Sequence, residues 1–458
     1  MTTACGNEEG GPGEEGGGNG GGPTTNIITA SDAQQEIDRV GRELANKINA
    51  EDFKDIASLT NFCMEKFLSS DEVMRGEEWH PDNSRDPEGP GIYDEDGDDI
   101  FDSPGTRLIR IVRHLSATAQ GDLAGVTSIK RIAETYGASD YAGIYTWNEE
   151  TEEWDKEEST SELTYKFNHG NKPCVVTVKK NGVEHSWTSW KKNRTFKIPS
   201  NLSGSVTEGG NVLAQLNVNV TECSQDNRKY ALSSELKVGN YIIAGSASDD
   251  NSTAKANCYM AAKGEKLIEA TVDASGYLLA DEDSTFNNKS GWNHVKNAKG
   301  TYTMLNSVLL NITADNTQGL YNAISKPMDY YYYEYYDSWS DTLIVYKESD
   351  KATAEKAARD AADAANRYIK SNISFKNGDY TAPAEWEAYL SYQYSYSWKS
   401  DYNTSYSKDE SMGWDIRPVL TFDNGGRYTF ENYFTQARFS SLISVFESLI
   451  NDFESLDL

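Results

Sequence analysis

A long series of strand-like segments between Tyr141 and Tyr346 constrains the fold more than any other feature of this chain. The segments are rich in Val, Ile, Thr and Tyr, follow a period of two, and alternate with turn residues, a pattern typical of β-strands. The pair Asn181-Gly182 is the strongest short signal for a tight hairpin turn. We therefore predict a large antiparallel sheet built as a meander of hairpins. One face of such a sheet can be buried under helices.

Three of the predicted hairpins resemble versions of one unit, because each has a glycine at the same offset between two strands. These glycines are Gly182, Gly210 and Gly264. The last two units also agree at two apolar pairs. These pairs are Leu213 with Leu267 and Val218 with Val272. The agreement suggests that the meander grew by duplication.

Helical patterns lie on both sides of the strand region. A capping-box pattern at Ser31 and Gln34 begins an apolar stripe of period 3.6, and Ser103-Pro104 begins another. Further N-terminal helices are predicted at about 51–69, where Cys63 is expected to be a buried thiol, and at about 126–136.

Two later helices are predicted to cover the sheet. An Ala-rich helix at 350–370 has Ser349 or Asp350 as its cap. The other, at 436–456, has one narrow apolar stripe, expected to seal the open face of the sheet. The stripe contains Phe439, Leu442, Phe446, Leu449, Phe453 and Leu456. The predicted class is α+β, with a tether at 1–23, a helical region at 24–140 and a β-rich region at 141–458.

The first 23 residues are mostly Gly with some Glu and Asn, a composition that cannot bury apolar surface and stays flexible. Thr2-Thr3-Ala4-Cys5 fits the last positions of a lipoprotein signal. The acidic residues that follow, Glu8-Glu9 and Glu14-Glu15, resemble the export signal of surface-exposed lipoproteins of the Bacteroides group. The late segment LTFDNGGRYTFENYF also resembles the tail of uncharacterised lipoproteins from that group.

The resemblance implies a lipid on Cys5 and a position on the outer membrane, facing outward. Residues 1–4 cannot supply the charged and apolar parts of a signal peptide. We therefore expect either a start codon placed too late or a truncated chain. The alternative is a disordered tail in which Cys5 has no role.

The charge of the chain restricts its partners. Its net charge is −29, whereas nucleic-acid binding needs clustered Lys and Arg. No stretch approaches the ~20 apolar residues that span a bilayer. We therefore expect contact with the membrane through the lipid anchor only, and no nucleic acid. A disulfide between Cys223 and Cys258 is not favoured, since their spacing alone does not support one.

An acidic loop at 94–102 is the one candidate metal site. Asp94, Asp96 and Asp98 supply oxygens at positions 1, 3 and 5 of an EF-hand-like loop. The loop departs from that pattern at position 6, where Asp99 replaces glycine, and at position 12, where Gly105 replaces glutamate. We expect a hydrated loop and no cofactor, with weak Ca²⁺ binding as the alternative.

Aromatic residues give the best indication of a binding site. Tyr392, Tyr394, Tyr396 and Trp398 alternate with polar residues, so one face of that strand is aromatic. Faces of period two usually point inward, which favours packing under a helix. The alternative is an exposed surface for a sugar or a protein.

Two other segments share this aromatic character. The segment 330–339 has tyrosines among acidic residues without either period, which favours exposure. A further group contains Trp147, Trp154, Trp187 and Trp190. The candidate ligand-binding residues are Tyr331, Tyr333, Tyr336, Trp339, Tyr394 and Trp398.

Catalysis finds little support in the sequence. The five histidines are isolated, and neither a metalloprotease motif nor a nucleophile elbow occurs. We therefore predict a non-enzymatic binding or accessory protein on the outer membrane, with a glycan or a surface protein as partner. A glycan-active hydrolase and a purely structural envelope component are the alternatives.

Overall fold

The computed structural model describes residues 26–67, 104–115, 142–159, 162–189, 194–224, 229–276, 295–337, 339–375, 378–399 and 406–456. All strands in these ranges belong to one sheet. The strands are β1 (Asn26–Ile27), β2 (Gly143–Asn148), β3 (Glu153–Glu157), β4 (Glu162–His169), β5 (Lys172–Ser189), β6 (Arg194–Glu208), β7 (Asn211–Cys223), β8 (Tyr230–Val238), β9 (Tyr241–Asp249), β10 (Thr253–Ala262), β11 (Glu265–Gly276), β12 (Val295–Met304), β13 (Val308–Ala314), β14 (Asp329–Asp337), β15 (Thr342–Glu348), β16 (Ile369–Phe375), β17 (Tyr380–Lys399), β18 (Tyr406–Thr421) and β19 (Arg427–Thr429).

Across the sheet the strand order is β3-β2-β4-β5-β6-β7-β8-β9-β10-β11-β12-β13-β16-β17-β18-β14-β15. Neighbours in this order are antiparallel except β2 and β4. Short β1 pairs in parallel with β17, and β19 pairs with β18. From β4 to β13 the order follows the chain, so the expected large antiparallel sheet of an α+β protein is confirmed.

The helices lie before, within and after the strand region. They are α1 (Ala30–Lys47), α2 (Lys54–Phe67), α3 (Pro104–Leu115), α4 (Thr317–Ile324), α5 (Lys351–Tyr368), α6 (Phe430–Tyr433) and α7 (Gln436–Glu454), with 3₁₀ turns at Ala50–Phe53 and Asp423–Gly425. The predicted cap Asp350 is confirmed. The cap predicted at Ser31 is wrong: the Thr29 side chain accepts a 3.1 Å hydrogen bond from Asp32 N, so α1 begins at Ala30. The helix predicted at 126–136 lies outside the described residues.

One row of paired residues shows which face of the sheet is buried. Successive strands place its members next to each other, from β4 through β13 to β16 and β17. The row is Leu163, Val178, Gly204, Leu216, Leu236, Ile243, Met260, Ile268, Met304, Val308, Phe375 and Tyr380. Its first part belongs to a core with α2 and α3, and its last part to a core with α1. Both cores therefore lie on the same face of the sheet, here called the helix side.

Aromatic and aliphatic packing stabilises the first core. The ring of Phe53 lies 4.7 Å from Tyr241 and 5.4 Å from Phe453, measured between ring centroids. Cys63 is fully buried, as predicted, and so is the inner face of α3. Full burial of a large apolar side chain such as Phe53 stabilises the fold by about 1.5–3 kcal/mol relative to leaving it exposed.

Helix α7 lies beside α1 and runs in the same direction. Gln34 Nε2 donates to the carbonyl of Arg438 at 2.7 Å, and farther along Gly41 faces Leu442. Phe453 and Leu456 of the predicted stripe pack against the first core, half-buried. Helix α7 therefore also lies on the helix side, next to α1. It does not cover the opposite face of the sheet, here called the open side.

The hairpin predicted at Asn181-Gly182 is wrong. Strand β5 continues through both residues, and one extra residue forms a bulge between Asn181 and Glu184. Gly182 has a φ of +84°, which a bulge uses as readily as a turn. The turns at Gly209-Gly210 and Lys263-Gly264 are true hairpins, as predicted.

The proposed duplication gains no support from burial. Val218 is 3% exposed under the helices, whereas Val272 is 53% exposed. Val272 lies on the helix side as well, but at a position where the helices no longer cover it. The two aligned valines therefore do not have equivalent environments.

Candidate functional site

A bulge at Ser391 determines which way the aromatic segment of β17 faces. Leu390 pairs with Trp414 and Tyr392 pairs with Gly413, so Ser391 is an extra residue in β17. The Ser391 hydroxyl donates to the Gly413 carbonyl at 2.8 Å. One inserted residue reverses the alternation of side chains along the strand. Beyond Ser391, residues that would otherwise face the helix side therefore face the open side.

The expectation that this aromatic face packs under a helix is therefore wrong. Its four members are 47–51% exposed. They are Tyr392, Tyr394, Tyr396 and Trp398.

Strand β14 presents a second aromatic row on the open side, two strands from the first. Between the rows runs β18, whose residues on this face are small or acidic. The register places Tyr331 and Tyr394 beside Ser411, Tyr333 and Tyr396 beside Asp409, and Tyr335 and Trp398 beside Ser407. We call this arrangement of nine residues the aromatic trough. Its two walls are about 9.5 Å apart, twice the spacing of neighbouring strands.

Tyr392 closes one end of the trough. Its ring lies over Gly413, where a Cβ atom would collide with it. The Tyr392 hydroxyl donates to Asp329 Oδ1 at 3.2 Å and accepts from the Ser411 hydroxyl at 3.3 Å. The absence of a side chain at Gly413 thus lets an aromatic ring lie across β18.

The floor of the trough is acidic. Asp409 Oδ1 is buried and accepts no hydrogen bond from the part of the chain that the structure describes. Desolvation, followed by the charge of Asp409, raises the pKa of the neighbouring Tyr331. Tyr331 therefore remains protonated and neutral, with its hydroxyl available as a hydrogen-bond donor.

The other tyrosines of β14 face the helix side, where α5 begins. Tyr330 is buried, and Lys351 Nζ lies 5.3 Å from the centre of its ring. Lys351 also pairs with Glu410 at 3.2 Å. Hydrogen bonds from Lys408 and Lys351 lower the pKa of Glu410. The lysines beside these strands are thus engaged on the helix side.

The structure brings four of the six predicted ligand-binding residues together and separates two. Tyr331, Tyr333, Tyr394 and Trp398 all line the trough. Tyr336 points to the helix side, where its hydroxyl bonds Asp341, and Trp339 lies at the β14–β15 turn with 97% exposure.

Sequence reasoning missed Tyr335, Tyr396, Asp409 and the two serines as members of one site. Tyr335 shares a face with Tyr331 and Tyr333 once β14 is known to be a strand, but only the register of three strands from distant parts of the chain reveals Asp409. Trp147 and Trp154 of the third aromatic group pack within the first core. The Trp187 side chain and Trp190 lie outside the described residues.

A second feature of the open side is a polar hollow of about 610 Å³ over β5 to β10. A ladder of amide and hydroxyl side chains runs through it, one from each of ten neighbouring strands. The ladder is Asn181, Asn201, Asn219, Ser233, Ser246, Asn257, Thr271, Thr301, Asn311 and Asn372. Glu235 is the one carboxylate among the residues that line the hollow.

A titratable cluster lies where β4, β5 and β6 meet. The Glu208 side chain is 5% exposed, and its oxygens lie 2.7 Å from His169 Nδ1 and 2.7 Å from Lys172 Nζ. Burial opposes ionisation of Glu208, but these two hydrogen bonds outweigh it and lower its pKa. Burial raises the pKa of the nearby Cys174 thiol to about 11, so that thiol is not an activated nucleophile.

The remaining site predictions lie outside the described residues. These are Cys5 and the loop carboxylates Asp94, Asp96 and Asp98. Among the residues that are described, no group of three or more His, Cys, Asp or Glu side chains could hold a metal ion. In the same ranges no helix is long and apolar enough to cross a membrane. No family model, curated protein or solved structure matches the chain.

Proposed function

We propose that the chain is a non-enzymatic binding protein that holds a glycan in the aromatic trough. The supporting observation is that two rows of aromatic rings line the two sides of a polar floor, the row on β17 exposed and the row on β14 half-buried. Rings with exposed faces can stack on the apolar faces of sugars, while hydroxyl and carboxylate groups hydrogen-bond to sugar hydroxyls. Strand β15, beside the β14 wall, pairs with no other described strand and so forms an edge of the sheet.

A hydrolase is less well supported by the geometry. Hydrolysis of a glycosidic bond by the common mechanisms needs two carboxylates on opposite sides of the bond. The trough floor has one carboxylate, Asp409. Asp329 lies at the Tyr392 end of the trough, where it bonds the Tyr392 hydroxyl, and Glu348 lies beyond the β14 wall. The lining of the polar hollow has one carboxylate, Glu235. We therefore favour a function in holding the ligand.

For location, we propose that Cys5 is lipidated and that the protein sits on the outer surface of the outer membrane. This rests on the resemblance of residues 2–15 to the signals of surface lipoproteins. The test is expression behind a lipoprotein signal sequence, followed by membrane fractionation. Cys5→Ser should release the protein from the membrane fraction, and continued retention would refute the anchor.

A glycan array probed with the full chain tests the binding function. The double variant Tyr394→Ala/Trp398→Ala removes one wall of the trough, and we expect its affinity for the best glycan to fall at least about tenfold. Trp339→Ala is the control, since it removes an exposed ring outside the trough. Silence of the native chain across the array, or equal losses in both variants, would contradict glycan binding in the trough.

A further inference from the structure

Among the described residues, the charge of Asp409 has no positive counterpart within the trough. One of its oxygens is buried without a hydrogen bond from the described groups, between Tyr333 and Tyr396 in register. Withdrawing a carboxylate from water is unfavourable unless a positive charge or hydrogen-bond donors compensate for it. A ligand that supplies positive charge at this point would therefore gain binding free energy there.

Charges around the trough are segregated by face. Lys347 pairs in register with Tyr332 and Lys408 with Glu334, so both lysines point to the helix side. The open side of the same strands presents carboxylates. They include Asp329, Asp337, Asp409 and Glu348. The trough is thus an electronegative surface lined by rings whose faces also attract cations.

A few residues beyond the trough, the open side already holds a cation between an aromatic ring and a carboxylate. Arg417 lies 4.5 Å from the ring centre of Tyr389 and pairs with Glu387 at 2.9 Å. A tyrosine ring and a carboxylate thus share one positive group on the open side of β17 and β18. At Asp409 the trough has the same combination of aromatic rings and a carboxylate, but no described residue places a cation there.

We infer that the glycan bound in the trough carries a protonated amine, as an unacetylated amino sugar does. This inference rests on the proposed glycan-binding function. The ammonium group lies above Asp409, between the rings of Tyr333 and Tyr396, and the sugar ring stacks on a wall. An ammonium has three donors, which the Asp409 carboxylate can accept, and the flanking rings of Tyr333 and Tyr396 attract the same positive charge.

Other sugar classes fit this floor less well. An acidic sugar would place a second negative charge near Asp409, which is repulsive in a partly desolvated site. A neutral or N-acetylated sugar would leave the carboxylate without a compensating charge. The inference therefore predicts a preference within one series of otherwise similar oligosaccharides.

The test is calorimetric titration of the full chain with three tetrasaccharides that share a backbone linkage. They are β-1,4-linked glucosamine, its fully N-acetylated form and cellotetraose. The native chain should bind the glucosamine form at least about tenfold more tightly than the other two, and added salt should reduce that difference. Asp409→Asn, which keeps shape and removes charge, should abolish the preference.

Asp415→Asn is the matched control. Asp415 lies on the same strand and the same face but beyond Tyr392, outside the trough, and its removal changes the net charge equally. Because the chain has a net charge of −29, a general attraction for cations would weaken equally in both variants. Equal weakening would overturn the inference.

Two further outcomes separate the inference from the proposed function. If the native chain binds all three sugars alike, with losses in Tyr394→Ala, the glycan function stands and the amine preference is wrong. If it binds no sugar in the titrations or on the array, both are wrong. Circular dichroism spectra that match the native chain would show that Asp409→Asn still folds.

Discussion

Replacing Gly413 by alanine should have opposite effects in two backgrounds, because Tyr392 occupies the space that a Cβ would need. In the native chain the added Cβ would overlap the Tyr392 ring and come within 2.7 Å of Asp329 Oδ1. The ring must therefore leave its place over β18. It then loses the hydrogen bonds with Asp329 and Ser411, each contributing about 0.5–1.5 kcal/mol.

The expected cost of Gly413→Ala is therefore about 1–3 kcal/mol of unfolding free energy, taking both hydrogen bonds together. The backbone at Gly413 is not in the left-handed region, so an alanine there is not strained by its φ. In the Tyr392→Ala background the space is empty and Asp329 can turn away. There the same substitution should stabilise the protein by about 0.4–1 kcal/mol, because it restricts the unfolded chain.

Urea unfolding of four proteins measures this double-mutant cycle. These are the native chain, each single variant and the double variant, compared by their midpoints at equal m-values. A change of sign between the two backgrounds supports the packing of Tyr392 over Gly413. Additive effects, within about 0.5 kcal/mol, would refute it.

Three further predictions concern other parts of the fold. The pKa of Glu208 is lowered from its usual 4.5, so its ion pairs stabilise the fold fully above about that pH and progressively less below it. In Glu208→Gln, the unfolding free energy should therefore fall less steeply as the solution is acidified below that pH. An unchanged pH dependence would contradict this prediction. The Trp386 backbone N–H donates to Asn366 Oδ1 at 2.6 Å, and Asn366 Nδ2 donates to the Trp386 carbonyl at 2.8 Å. Asn366→Ala should therefore cost about 1–3 kcal/mol of unfolding free energy and speed hydrogen exchange at the Trp386 amide. Continued protection of that amide would argue against the contact. Burial raises the pKa of the Cys63 thiol; iodoacetamide should modify Cys63 in urea but not in the native protein, as mass spectrometry of peptides can show, and labelling of the native protein would refute its burial.

The sequence predicted the class of the fold because strand periodicity and helix signals are local. Pro104 and Asp350 mark helix starts through backbone chemistry that needs no tertiary context, and both were found where expected. The hairpin at Asn181-Gly182 was not found, although its local signal was the strongest. A positive φ at Gly182 serves a bulge as well as a turn, and the long pairing of β5 with β6 favours the bulge.

The candidate site was less predictable because it depends on register. The even-numbered residues of β17 are apolar on both sides of Ser391, from Ala382 to Trp398. Their pattern alone describes one continuous inward face. A bulge at a single serine divides that pattern into two faces, and nothing in the spacing of apolar residues distinguishes the two cases. Asp409 and Tyr333 could likewise be placed together only through strand pairing between distant segments.

The bulge also explains how an aromatic surface of this size remains part of a stable sheet where no helix of the described residues covers it. Before Ser391, strand β17 contributes Ala382 and Ala384 to the second core, which anchors it under the helices. After Ser391 the same strand can present rings to the open side without removing any residue from that core. On the β14 side of the same surface, contacts across strands cover part of the rings, such as the 5.8 Å approach of the Tyr331 and Tyr346 rings. An open-sided aromatic surface therefore requires one local irregularity in β17, which is why we assign the binding role to the strands beyond it.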